Sequence, residues 1–329
     1  MIPSQEIEYL EFLLNSVNMT LSLPDQKVKK IQKLCRQVLE STTVSVRKPP
    51  ALIGNLTASI QAVLPAPLHY RSLQCVKNLK IKETLDYELV VQVTQEAKVD
   101  LKWWLDHLVK WNGRSRLAPH WEMTIQTDAS CKGWGAVCNN VRIGGPWLTQ
   151  ESHFHINILE LMAIQNAVKS FLQNKSNTHV LIQTDNKTAL TYLNRMEGCI
   201  SQPCSQVAIA IWEWCLERSI ILHSEFIPGK DNLIADWESR HHHDSSSWML
   251  NPHIFQILMS KTQMCTIDLF ANRTNAQLTN YMSWFPDPEA MAVNALIQPW
   301  DQVKGYAFPP FSLIGKCLQK VRDEILTSA

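Results

Sequence analysis

The nine cysteines of this 329-residue chain (Cys35, Cys75, Cys131, Cys138, Cys199, Cys204, Cys215, Cys265 and Cys317) form no Cys-x-x-Cys pair, and their number is odd. That argues against a disulfide framework and for buried thiols in a reducing compartment. No apolar run approaches membrane-spanning length, so no membrane partner is expected. The opening residues Ile2-Pro3-Ser4-Gln5-Glu6 lack the basic stretch and apolar core of a secretory address. An intracellular protein, nuclear or cytoplasmic, is the expectation. Charge of one sign is not in excess either: the net charge is +1, so any electrostatic footprint for nucleic acid must be local. No internal repeat is visible.

What is present is ordinary globular material, 45% hydrophobic and 19% charged, and long enough for two or three modules. Residues 5–23 read as a small β-rich opening, stopped by Pro24. From Asp25 the pattern turns helical, with Val28, Ile31, Leu34 and Val38 as one stripe and Lys27, Lys30, Lys33 and Arg36 on other faces. Those four cations form either a solvated face or a surface that follows phosphates and releases counterions. Arg47-Lys48-Pro49-Pro50 reads as a break, 51–63 and 68–80 as helices, and 92–110 as a helix with Leu101, Trp104, Leu105 and Leu108 on its apolar face.

Between 121 and 240 the order changes. Strands are expected over 123–128, 134–138 and 141–148, then helix 157–173 opened by Asn157, strand 179–184, helices 186–196 and 204–218, strand 220–226, and helix 233–240 capped by Asn232. Antiparallel strands first and parallel crossovers later give an α/β fold with a mixed sheet covered by helices. His241-His242-His243-Asp244-Ser245-Ser246-Ser247 reads as a linker. The remainder has helices at 252–260 and 312–326 around a loop-rich stretch.

Four acids fall at telling places: Asp128 on the first strand, Glu160 on the first helix, Asp185 at the end of the fourth strand and Asp236 on the last helix. At about 4 Å and an effective dielectric near 20, each like-charge pair would cost roughly 4 kcal/mol. A hard divalent cation removes that cost, and an all-oxygen donor set selects Mg²⁺ or Mn²⁺ over Zn²⁺. Two such ions would activate a water, clamp a scissile phosphate and neutralise the leaving oxygen.

These residues resemble a known family. Residues 121–240 are similar to the ribonuclease H domain of reverse-transcribing elements, in wording close to DIRS-type retrotransposon polyproteins. The similarity is carried by Thr-Asp-Ala-Ser with Gly-Trp-Gly-Ala (127–136), Ile-Asn-Ile-Leu-Glu-Leu (156–161), Thr-Asp-Asn (184–186) and Ile-Pro-Gly-Lys-Asp-Asn-Leu-Ile-Ala-Asp (227–236). It implies a ribonuclease H-like mixed five-stranded sheet over 119–241. It also implies an endoribonuclease that cuts the RNA strand of RNA–DNA hybrids, with Asp128, Glu160, Asp185 and Asp236 holding two Mg²⁺ ions. Tyr9 to Pro24 and Pro65-Ala66-Pro67-Leu68-His69-Tyr70 look like the thumb and connection of a reverse transcriptase, giving a module over 1–118. Asp268-Leu269-Phe270-Ala271, Tyr281, Trp300 and Phe308-Pro309-Pro310-Phe311 look like the adenine-methyltransferase-related segment of the same elements, over 250–329.

Four positions depart from the family pattern. Glu11 replaces a usual Gly. Phe226 stands where many relatives have a His that helps product leave, which implies slower turnover. Glu238 replaces an apolar residue, which implies relaxed packing of the last helix. Phe308 stands where a methyltransferase needs Asp or Asn, so the last segment is expected to be a structural appendage. The polymerase palm is missing, and no DNA synthesis is expected. The stretch Asn194 to Gln206 lacks a basic loop for gripping a hybrid, a role left to Lys27, Lys30, Lys33 and Arg36. The alternative is a catalytically impaired retroelement remnant that still binds nucleic acid.

Overall fold

In the computed structural model, which describes residues 4–41, 43–45, 48–70, 72–74, 90–118, 120–196, 201–241, 248–261, 265–301 and 303–327, the chain divides into two units. The first comprises residues 1–120 with 195–197, the second 121–194 with 198–329.

The first unit opens with β1 (Glu6–Tyr9) and β2 (Phe12–Asn15), paired antiparallel with Tyr9 opposite Phe12. The β-rich opening is therefore interrupted by a two-residue turn, Leu10-Glu11, with φ of 48° and 66°. Positive φ at both positions is the hairpin geometry that matches strand twist, and Gly or Asn usually supplies it. Glu11 is held there by Lys27, whose Nζ lies 2.6 Å from Glu11 Oε2 and 5.2 Å from the centre of the Phe12 ring.

β3 (Thr20–Ser22) leads into α1 (Asp25–Glu40), which buries Val28, Ile31, Cys35 and Val38; Cys35 takes the place expected of Leu34, which is only partly buried. α2 (Lys48–Ala58) includes Pro49 and Pro50, so the expected break is a helix start. The first turn tolerates proline because its amides have no intrahelical acceptor. Residues 66–69 make one 3₁₀ turn, and 75–80 of the expected second helix lie outside the described residues. α3 (Gln95–Trp111) is capped by Thr94, whose hydroxyl accepts from the Ala97 amide. It places Leu101, Trp104 and Leu108 fully inside a core with Ile31, Leu52 and Leu56.

In the second unit the mixed five-stranded sheet expected from the sequence is present. β4 (Met123–Ala129), β5 (Gly133–Cys138) and β6 (Val141–Pro146) form an antiparallel meander; β7 (His179–Thr184) joins β4 in parallel, and β8 (Ile221–Phe226) joins β7 in parallel. The spatial order is therefore β8-β7-β4-β5-β6. α4 (Ile156–Leu172) packs on β4 and β5 and against α6 (Gln202–Glu217). It is buried nearly all round, as a helix between two layers must be. α5 (Lys187–Asn194) is capped by Asn186, whose side-chain oxygen accepts from the Ala189 amide.

α7 (Leu233–Arg240) crosses β5 and β6 at two glycines. A Cβ at Gly135 would lie 2.3 Å from the Ala235 carbonyl oxygen and 2.5 Å from the Ser239 nitrogen, and one at Gly144 would lie 3.0 Å from the Glu238 carbonyl oxygen. The relaxed packing expected from Glu238 is therefore not found. Helix backbone rests directly on strand backbone, a contact made by the glycines whatever residue 238 is.

The last segment adds α8 (Pro252–Lys261), two short parallel pairings (Ile267–Asp268 with Gly305–Tyr306, and Met282–Ser283 with Ala292–Val293), and α9 (Ile314–Thr327). It is tied to the sheet region by Arg273, whose Nη1 and Nη2 reach the two Glu151 oxygens at 3.0 and 2.5 Å. Both side chains are nearly buried, at 11% and 7% exposure. Asp268 accepts from the backbone amides of Phe270 and Gln277, which gives it a loop-organising role.

Candidate metal centre

Parallel pairing explains why two of the acids meet. Gln126 on β4 is in register with Gln183 on β7, so Asp128 and Asp185, each two residues further on, leave adjacent strand ends on the same side. The crevice beyond the carboxyl ends of such strands is where open α/β sheets build their sites. Asp185 is half-buried beneath the turn after β8, and a Cβ at Gly229 would lie 2.9 Å from Asp185 Oδ2. A side chain there would have to push the carboxylate aside.

Glu160 comes from the second turn of α4 and is 5% exposed. One ligand oxygen from each of Asp128, Glu160 and Asp185 falls within a 4.8 Å set. Asp236, on α7, is outside that set. Its Oδ1 is held by Arg240, with Nη2 at 2.6 Å and Nε at 2.8 Å. Three of the four expected acids are therefore drawn together, and the fourth is nearby and paired.

Asp128 is itself buried, with Ser239 Oγ donating to its Oδ2 at 2.6 Å. Asn232, expected as a helix cap, makes no capping bond. Its side-chain amide instead donates to the Thr127 carbonyl at 2.9 Å, fixing the start of α7 to the strand that carries Asp128. Asn232 is fully buried, and its side-chain oxygen is left without a hydrogen-bond partner there.

The electrostatics follow from burial and like charge. Burial, opposed by Ser239 and reinforced by Asp185 and Asp236, pushes Asp128 up to about 6. Burial, then Asp128 and Asp185, push Glu160 up to about 9. Asp185 is also raised, chiefly by burial. Glu160 Oε2 has no hydrogen-bond partner. A buried carboxyl oxygen without a donor, facing two more carboxylates, lacks a positive charge. An all-oxygen set of this kind fits Mg²⁺ or Mn²⁺.

Of the expected nucleic-acid contacts, Lys30, Lys33 and Arg36 are exposed on α1 of the first unit. Lys27 is not available: it is 8% exposed and its charge is taken by Glu11. Phe226 is 45% exposed at the end of β8, level with Thr184, and Lys187 Nζ lies 5.4 Å from its ring centre. Ser239 and Arg240 escaped the sequence reading. Their spacing of three and four from Asp236 on a helix is the signal that would have found them.

No family model matches the chain. Over 187 residues, 54% of its length, the chain is 25% identical to the genome polyprotein of Petunia vein clearing virus (isolate Shepherd), of which it covers 8%. Over 136 residues, 37% of its length, it is 28% identical to the enzymatic polyprotein of Cauliflower mosaic virus (strain D/H), of which it covers 19%. The chain thus spans less than a fifth of these relatives, and is homologous to a segment of viral polyproteins. Among solved structures it is similar to ribonuclease H1 from the halophilic archaeon Halobacterium salinarum NRC-1, at 12% identity and a TM-score of 0.30, over 35% of this chain and 92% of that one. It is also similar to the foamy viral protease-reverse transcriptase in complex with RNA/DNA hybrid, at 12% identity and a TM-score of 0.30, over 75% and 32%. Among the described residues, no helix is long and apolar enough to cross a membrane.

Proposed function

We propose that this chain is a metal-dependent endoribonuclease that cuts the RNA strand of RNA–DNA hybrids, derived from a DIRS-type retrotransposon. The observation that carries the reading is the orphaned Glu160 oxygen within the 4.8 Å set of Asp128, Glu160 and Asp185. Asp128, Glu160, Asp185 and Asp236 would hold two Mg²⁺ ions, for which Mn²⁺ can substitute. When bound, the ions would activate the attacking water and neutralise charge on the phosphate and the leaving oxygen.

The chain's own residues set the stage for that chemistry. Ser239 fixes the rotamer of Asp128 by donating to Oδ2, and Asn232 locks α7 to β4. Glu160 is buried on α4, at 5% exposure. Lys30, Lys33 and Arg36 supply the local positive charge that the chain lacks in sum, and would follow the hybrid's phosphates. Phe226, where a His would help product leave, makes release slow. Residues 1–118 are read as the thumb and connection of a reverse transcriptase. Residues 250–329 are read as a methyltransferase-related segment with a structural role, which the backbone-capped Asp268 supports.

The test is a labelled hybrid incubated with the purified chain in Mg²⁺, Mn²⁺ or EDTA, beside Asp128→Asn. Cleavage by the parent alone, and only with metal, is expected. Binding without cleavage in either metal would replace this reading with that of a nucleic-acid-binding remnant.

A further inference from the structure

Asp236 differs from the other three acids in having a full positive charge on it. Arg240 sits one turn further along α7, and two of its nitrogens converge on the same Asp236 oxygen at 2.6 and 2.8 Å. Asp236 is also the acid that stands outside the 4.8 Å set. A cation shared with the other acids must displace the guanidinium from Oδ1, or bind through Oδ2 with that positive charge beside it, and in either case Arg240 opposes it.

The pair is exposed, at 54% for Arg240 and 40% for Asp236, so it is a weak and reversible restraint. A cation at the end of a helix has a bland explanation too, since it complements the helix dipole. That explanation does not require the guanidinium to turn back onto an acid of the site. Nor does it place the charge where Asp128 and Asp185 feel it, as both do.

Resting on the metal-site reading above, we infer that Arg240 is an internal counter-ion that competes with the second divalent cation. While Arg240 holds Asp236, the three clustered acids take one ion. The second position is completed when the guanidinium lets go. Arg240 is thus a positioning residue that sets how tightly the second ion binds.

The experiment is Mn²⁺ binding to the full chain without nucleic acid, read as free Mn²⁺ by electron paramagnetic resonance at fixed ionic strength. The wild type is expected to bind one ion tightly and a second at least tenfold more weakly. Arg240→Gln, a change on an exposed side chain, should tighten the second ion about tenfold, and adding Asp236→Asn should abolish that gain while leaving the first ion bound. Arg218→Gln, at the opposite end of β8, removes the same charge and should change neither constant.

A second constant that is unchanged or weaker in Arg240→Gln overturns the inference and makes Arg240 a strut. So does equal tightening by Arg218→Gln, which would make the effect one of net charge. If the wild type and Asp128→Asn bind Mn²⁺ alike, the metal-site reading itself falls, and this inference with it.

Discussion

Replacing Glu160 by Gln should make the metal-free protein more stable, although it removes a proposed metal ligand. In the folded chain Glu160 keeps its proton up to about pH 9, whereas in the unfolded chain it releases it near 4.5. Between these values the folded state binds more protons than the unfolded one, so stability falls as pH rises through that window. At pH 7 the loss covers about 2.5 pH units, or about 3–4 kcal/mol at roughly 1.4 kcal/mol each. Glutamine has no proton to lose. Its amide can also donate toward the neighbouring carboxylates from the position of Glu160 Oε2, which has no hydrogen-bond partner. In EDTA at pH 7, Glu160→Gln should therefore raise the urea midpoint by about 1 M or more, for a slope of about 1–3 kcal/mol per molar. At pH 5 the same calculation leaves a gain below about 1 kcal/mol. Mg²⁺ at a thousandfold excess over Kd should invert the order, by stabilising the wild type by about 4.1 kcal/mol and leaving the variant nearly unmoved. A gain of equal size at both pH values would show that packing, and not a withheld proton, is responsible. A variant less stable than the wild type at pH 7 would refute the electrostatic account of the site.

Three further outcomes follow from named contacts. Ser239→Ala removes the hydroxyl that holds Asp128 down; Asp128 should then rise further above about 6, and Mg²⁺ affinity measured by calorimetry should drop at pH 6.5 and recover by pH 8. Gly135→Ala places a methyl 2.3 Å from the Ala235 carbonyl and should cost about 3 kcal/mol or more in thermal unfolding, comparable to overpacking a core; a cost under about 1 kcal/mol would mean that α7 is free to shift. Reversing Lys30, Lys33 and Arg36 to Glu should weaken hybrid binding and flatten its dependence on salt by about 2 to 3 in log–log slope, whereas an unchanged slope would remove α1 from the nucleic-acid surface.

The parts legible in the sequence were those in which local pattern and global fold agree. Alternating β-formers ending in Thr127-Asp128 and Thr184-Asp185, with a helical period between them, suffice to predict two parallel strands with adjacent acids. The same reasoning failed where a partner distant in the chain decides. Lys27 has the sequence surroundings of a solvated helix face, yet the hairpin turn at Leu10-Glu11 folds a carboxylate onto it from sixteen residues away. Asn232 has the position of a helix cap, yet its amide bonds to a strand more than a hundred residues earlier.

The four acids divide along the same line. Asp128 and Asp185 are brought together by strand register, and Glu160 by a helix packed on that sheet, so their convergence is a property of the fold. Asp236 arrives on a two-turn helix whose approach depends on two glycines and whose carboxylate has a competing partner one turn away. An acid on a rigid sheet and an acid on a helix with its own counter-ion need not bind cations with equal strength. The asymmetry is written in the backbone at Gly135 and Gly144 and in the i, i+4 pairing of Asp236 with Arg240. On the proposed two-ion reading, conserving the four carboxylates would preserve the first ion's binding set, while changes at those three other positions would alter the second ion's affinity.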